Sequence, residues 1–196
     1  KLGTFNTSFV PSLTAFRVYL QGDELLRSHR VDVDWNTTLR DQGAFGLNFY
    51  LDERDFMNAQ NKTGGFVGVG LSRNIVFPKN GLFLSYKTNF EHFYAHSPIE
   101  TYIKRTFDLS TRKALNNSTF ATTSVNYTNK DYKQKDPFLG LRNDNSINIR
   151  FGLTKIINLC WNADMGVSFS SNKSTIGLYA RSNEGLTFKF NYLCTQ

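Results

Sequence analysis

The segment Gly185-Leu-Thr-Phe-Lys-Phe-Asn-Tyr-Leu193 places Leu186, Phe188, Phe190 and Tyr192 on one parity and Thr187, Lys189 and Asn191 on the other. A period of two marks a strand with one apolar and one wet face, because successive side chains of extended backbone point to opposite sides. The alternation recurs upstream. Val31, Val33 and Trp35 alternate with Arg30, Asp32, Asp34 and Asn36, and Phe45, Leu47, Phe49 and Leu51 with Gly46, Asn48 and Tyr50. Ile147, Ile149, Phe151 and Leu153 alternate with Asn148, Arg150, Gly152 and Thr154; Leu159 to Phe169 and Ile176 to Ala180 continue in the same way. No segment of comparable length carries a helical repeat.

Composition agrees with an all-β chain. The 196 residues suffice for one large domain, and 40% hydrophobic with 15% aromatic residues excludes a disordered chain. The mean hydropathy of -0.39 has a soluble look, but a membrane barrel with a polar lumen also alternates and gives a weak signal per strand. No run reaches the roughly 18 apolar residues of a spanning helix, so a crossing of the bilayer has to be made by strands. The chain begins at Lys1 without a charged-then-apolar leader and reads as one β-barrel domain over residues 1–196, or as the barrel part of a longer protein.

The expected architecture is an antiparallel up-and-down transmembrane β-barrel of roughly twelve or more strands, most near the 9 to 11 residues that a tilted strand needs. The strands are expected near 4–10, 12–20, 28–39, 44–51, 65–73, 81–94, 98–109, 118–128, 146–156, 158–170, 174–181 and 185–194. Pro11 divides the first two, since proline interrupts a ladder. Residues 21–24, 41–43, 78–81, 171–173 and 183–184 read as turns. Two longer connections, 52–64 and 129–145, remain; the second contains Pro137-Phe-Leu-Gly-Leu-Arg142.

Which face lies inside decides between a soluble barrel and a membrane one. About eight strands enclose an interior that one apolar layer fills, and about twelve are too wide for that. The strand number therefore puts the apolar parity against lipid and the polar parity in a lumen. Asp32, Asp34, Arg150, Asp164, Arg181 and Lys189 become lumen-facing residues of mixed sign. Aromatics near strand ends, Tyr19, Trp35, Phe77, Tyr94, Phe107, Trp161 and Tyr192, suit interfacial girdles.

The net charge of +7 and pI near 9.4 come from scattered basic residues without a Lys/Arg cluster, so nucleic acid is not an expected partner. No nucleophile, base and orienting group share a motif, so no catalytic residue and no enzyme are expected. Cys160 falls with the polar parity and Cys194 with the apolar one, which argues against a disulfide between them. His92 and His96 have helical zinc spacing, but on a strand they stand about 13 Å apart, so neither a metal nor a cofactor is expected.

Two resemblances to known families follow from particular stretches. Asn183-Glu-Gly-Leu-Thr-Phe-Lys-Phe190 resembles the sorting signal in the last strand of mitochondrial barrels, with Asn183, Gly185, Phe188 and Phe190 at its polar, glycine and hydrophobic positions. Tyr19-Leu-Gln-Gly-Asp-Glu24 with Phe45-Gly-Leu-Asn-Phe-Tyr50, and Arg73-Asn-Ile-Val-Phe77-Pro78-Lys-Asn-Gly81, are similar to an early hairpin and to an Arg-to-Phe-Pro-x-x-Gly turn of one family. Met165 to Phe169, Ile176 to Tyr179 and the final strand resemble its last three strands. This is the family of the mitochondrial sorting and assembly machinery core barrel and the bacterial BamA-type outer-membrane assembly superfamily, of which the chain resembles a divergent, shortened relative. The family's lumen loop has an Arg-Gly-aromatic tip; here Leu139, Gly140 and Arg142 match it best, with Asn143 and Asp144 in place of the glycine and the aromatic.

The resemblance implies insertion and assembly of other β-barrel proteins through a weak seam between the first strands, Thr4 to Leu20, and the closing strand, Gly185 to Cys194. It implies an outer membrane, mitochondrial rather than bacterial or plastid. The lipid bilayer, other membrane-complex subunits and unfolded barrel precursors are the implied partners. Arg142, inserted in the lumen, would pair with Asp164, Asp32 or Asp34. The alternatives are a passive pore of the voltage-dependent anion channel or porin type, and a soluble barrel binding an apolar ligand.

Overall fold

The computed structural model describes residues 6–21, 23–39, 43–158 and 160–192. Ten strands follow one another: β1 (Asn6–Leu20), β2 (Asp23–Leu39), β3 (Gly43–Phe56), β4 (Gly64–Phe77), β5 (Leu82–Ala95), β6 (Tyr102–Asn116), β7 (Thr119–Asp136), β8 (Gly140–Ile156), β9 (Trp161–Ser174) and β10 (Arg181–Tyr192). They form one antiparallel up-and-down sheet in the order β1 to β10. Among the described residues β1 pairs only with β2 and β10 only with β9, so the sheet is open.

The strands are fewer and longer than the twelve expected. β1 runs through Pro11, which sits opposite Val33; an edge strand tolerates proline because alternate N–H groups point away from the neighbour. The expected turns at 171–173 and 183–184 lie inside β9 and β10, and the expected strand at 174–181 is a bend with a 3-10 turn, Gly177–Tyr179. Polar side chains misled in each case: Ser171, Asn172 and Asn183 lie on a strand whose ladder holds them regardless of their turn preference. The two long connections shrink likewise, because β3 extends to Phe56 and β7 to Asp136; only residues 137–139 separate β7 from β8. Thr4, Phe5, Gly22, Asp41, Gln42, Leu159, Leu193 and Cys194, which carried parts of the expected strands, turns and disulfide argument, lie outside the described residues.

Antiparallel order places the connections after odd-numbered strands at one end of the sheet and those after even-numbered strands at the other. At the first end, called here the capped end, lie the 3-10 turns Gln60–Lys62, Pro98–Glu100 and Gly177–Tyr179. At the second, the open end, lies the Pro78–Asn80 turn, closed by Gly81 at φ 56° with its N–H donated to the Pro78 carbonyl. Gly81 supplies the left-handed conformation that a side chain disfavours, so Phe77, Pro78 and Gly81 form the turn read from the sequence. Arg73 lies earlier on β4, between Phe45 and Tyr86.

The two parities have opposite environments. Apolar residues of the convex face are open, with Phe49 at 53% and Phe188 at 62% exposure, whereas Asp52 and Phe93 on the concave face are each 4% exposed. The accessible surface is 13473 Å², against about 9400 Å² for a compact water-soluble protein of this mass. Apolar side chains that no second layer covers contribute to the excess.

The concave face owes its closeness to β4, where Gly64, Phe66, Gly68 and Gly70 share one parity. Tyr50 on β3 lies across Gly68 and donates its hydroxyl to Glu91 on β5. A Cβ at Gly68 would lie only 2.2 Å from the Tyr50 ring. Gly68→Val is therefore expected to displace Tyr50 and to lower stability by about 1–3 kcal/mol, read as a lower urea midpoint, whereas Gly65→Ala, with nothing nearer than the Asp52 carbonyl at 3.9 Å, should leave it unchanged.

Candidate functional site

The convex apolar belt crosses the strands obliquely. Followed through the register, Val33 on β2 stands level with Phe49, Val69, Phe90, Arg105, Asn129, Asn145 and, on β9, Lys173. The apolar run on β9, Ala163 to Phe169, has its middle at Gly166, seven residues from Lys173 after seven strand-to-strand steps. The belt therefore shifts by one residue per strand. A shift of about 3.4 Å against a strand spacing of about 4.8 Å corresponds to strands tilted by about 35° to the belt's perpendicular, within the range of membrane barrels. From Trp161 to Phe169 such a belt is about 22 Å tall, near the roughly 25 Å of an outer-membrane apolar band.

Aromatic rings border it. Trp35 meets Phe45 edge-on at 6.1 Å and Trp161 meets Tyr192 at 4.9 Å towards the open end, and Tyr94, 54% exposed, lies towards the capped end. Phe107 lies within the belt, opposite Tyr127, rather than at its rim.

On the concave side, the capped end is filled by one register row of rings. Phe66 stacks on Phe93 at 4.2 Å, Phe93 meets Tyr102 at 5.1 Å, and Tyr102 meets Tyr132 at 5.3 Å. Cations lie against this layer: Arg54 over Phe66 at 4.3 Å, Lys130 over Tyr102 at 5.0 Å, and Arg142 over Tyr132 and Tyr179 at 4.6 and 3.5 Å. A guanidinium stacks on rings while its edge remains free for a carboxylate. Each stacked arginine uses that edge, Arg54 on Asp52 at 2.6 Å and Arg142 on Asp144 at 2.6 Å. Asp52 also accepts from Ser28 Oγ at 2.6 Å. Arg30 grips Asp32 through two bonds, 2.6 and 2.7 Å, and Asn48 donates to Asp34 at 2.8 Å.

The residues singled out in the sequence separate into groups. Asp32 and Asp34 belong to this network. Arg142 is inward-facing, but on β8 and not on a loop, and its acid is Asp144 instead of Asp164, Asp32 or Asp34. The correction has a simple cause: Asp144 is two residues away on the same strand, hence on the same face. Leu139 is at the hairpin tip and Gly140 follows at φ 84°. Arg181 lines a cavity of about 460 Å³ with Lys130 and Arg142, and Arg150, Asp164 and Lys189 line one of about 1040 Å³ nearer the open end. Asn183, Gly185, Phe188 and Phe190 lie on β10, the unpaired edge. Cys160 precedes β9 at a bend, where strand parity does not apply, and it is disulfide-bonded, contrary to the expectation. His92 is on β5 with its ring 3.8 Å from Tyr94, and no group of three or more metal-ligating side chains occurs among the described residues.

Sequence reasoning missed Tyr50, Glu91 and the aromatic layer. The available signal was the near-absence of side chains on one parity of Gly64 to Gly70, which marks a place where neighbours lean across. No protein-family model and no curated protein matches the chain.

Arg142→Met would leave Asp144 almost buried without its cation. The expected cost is about 3 kcal/mol, measured by urea denaturation, and Asp144→Leu in the same chain is expected to restore most of it.

Proposed function

We propose that the chain is a membrane-embedded β-barrel component whose convex belt meets lipid, whose concave face is hydrated, and whose open edge pairs with strands of other barrel proteins during their insertion. The observation that carries this is the belt of steady one-residue shift on a sheet whose outer strands have unpaired edges among the described residues. A strand edge in an apolar medium has N–H and C=O groups that water cannot satisfy, so an incoming strand gains a full ladder by adding there.

The two edges are not equal. β1, 15 residues long, carries Pro11, which removes one donor. β10, 12 residues long, has no proline, and the side chains of both edge strands are exposed on both faces. β10 is therefore the better template, and the segment resembling a sorting signal is on it. The aromatic and cation layer at the capped end speaks against a wide passive pore, and the uncovered apolar face speaks against a soluble barrel. The resemblance of Asn183 to Phe190 favours the mitochondrial outer membrane.

Trp35 and Trp161, the chain's two tryptophans, both lie on the convex face. In vesicles, brominated lipid is expected to quench their fluorescence strongly and aqueous acrylamide weakly; the reverse would exclude the membrane belt. Insertion is tested with a urea-denatured barrel precursor added to vesicles containing this chain. Proline placed at Leu186 and, separately, at Thr187 removes one N–H facing β9 and one facing the free edge. The variant that keeps the β9 ladder should fold yet lose at least about tenfold in insertion rate, since alternate N–H groups alone face the edge. Unchanged insertion by that folded variant would overturn the edge mechanism.

A further inference from the structure

The larger cavity, about 1040 Å³, is bounded by Phe83 on β5 and by Lys189 on β10, so the curl of the sheet brings strands five apart around one space. Its floor is made of small residues. Arg112, Thr122, Gly152, Gly166 and Thr187 form one register row, and Ser110, Ser124, Arg150 and Ser168 form the next. Between the cations these rows have only hydroxyls and glycines, which leaves the space open and lined with donors. Gly152 has no room for a side chain, since a Cβ would lie 2.6 Å from the Thr122 hydroxyl.

The charges facing this space are unbalanced. Arg112, Arg150 and Lys189 line it, and among the described residues none of the three has a carboxylate within ion-pair distance. Arg112 rests over the Phe120 ring at 4.2 Å, its hydrogen-bonding edge unused. The carboxylate in the cavity, Asp164, is already held by Thr154 at 2.6 Å and Asn191 at 2.7 Å. At the capped end, by contrast, Arg30, Arg54, Lys104 and Arg142 are all paired with acids. Lys130 and Arg181 are exceptions at that end, but most of its cations are paired, whereas the three that line the larger cavity are not.

We propose that this cavity is a binding site for a multivalent small anion bearing phosphate or carboxylate groups, held by Arg112, Arg150 and Lys189 with Ser110 and Ser124 as hydroxyl donors. Guanidinium groups match such anions through paired N–H bonds, and three cations around a concavity with low-dielectric walls reinforce one another's field. The site goes beyond the strand-accepting edge: Lys189 is on β10, but the site depends on side chains of the concave face and the edge on backbone N–H and C=O groups, so either can fail without the other.

The test is titration calorimetry of the whole chain in a non-ionic detergent with inorganic tripolyphosphate and, in parallel, citrate. Saturable binding of either anion is expected, weakening as salt is raised, and the better ligand tells phosphate from carboxylate recognition. The double variant R150Q/K189Q should lose at least about tenfold in affinity, because two of three charge-assisted contacts are gone. Lys173→Gln, on the convex face, should match the parent. Should the double variant fail to fold, Ser168→Asp, which sets a carboxylate opposite Arg150, is expected to produce the same loss. Absence of saturable binding to both anions, or equal affinity in the parent and the folded cavity variant, would overturn the proposal.

Discussion

A strand carries a hydrogen-bonding group pair at every residue, and outside water none of these can remain unsatisfied without a cost of several kcal/mol. An antiparallel sheet in sequence order answers that demand with the fewest choices, because each strand finds its partner immediately before or after it. All ten strands here do so. Side chains are then left to decide only which face meets which medium, and the parity of each strand makes that decision. Everything distinctive in the structure, the belt, the filled end and the unpaired outer strands, is laid over this ladder.

An apolar exterior forces the polar groups to settle accounts among themselves. The concave face does this unevenly. At the capped end, arginines are held between a ring below and a carboxylate beside, an arrangement that satisfies a guanidinium on its face and its edge at once. The layer of four aromatic rings beneath them occupies what would otherwise be a void. Towards the open end the row of Thr122, Gly152, Gly166 and Thr187 has no bulk to fill the space, and the cations there stand without acids. One polar surface therefore has a structural half and an accessible half.

Much of this was legible from residues alone. Alternation gave the strands from Val31 to Trp35, Phe45 to Leu51 and Ile147 to Leu153 because one face had to be apolar throughout, and the Pro78 to Gly81 turn was visible because only a glycine accommodates its conformation. Ends of strands were less visible: Asn129 to Asp136 and Ser171 to Lys173 are polar on both faces beyond the belt, so their extended backbone leaves no alternation to detect. The strand count went astray elsewhere, at Pro11, which lies within β1, and at residues 174–181, which are mostly a bend. Tyr50 and Glu91 were hidden for a different reason. Their contact spans β4 and exists only because Gly68 has no side chain, a relation between three strands that no local pattern encodes. Arg142 was singled out for a loop that is not there, yet it is inward-facing and does hold an acid. Cys160 was misjudged because parity was applied outside a strand.

The one-residue shift of the belt from strand to strand also constrains how this chain can vary in length. Losing a single residue within a strand would exchange convex and concave positions for the rest of it, whereas losing two would preserve the faces and merely slide the belt along that strand. Sequence drift should therefore accumulate in paired steps within the ladder and in any number at the turns beyond it. The register thus acts as a reading frame of two, and the sheet's memory of inside and outside resides in that frame more than in the identity of any one residue.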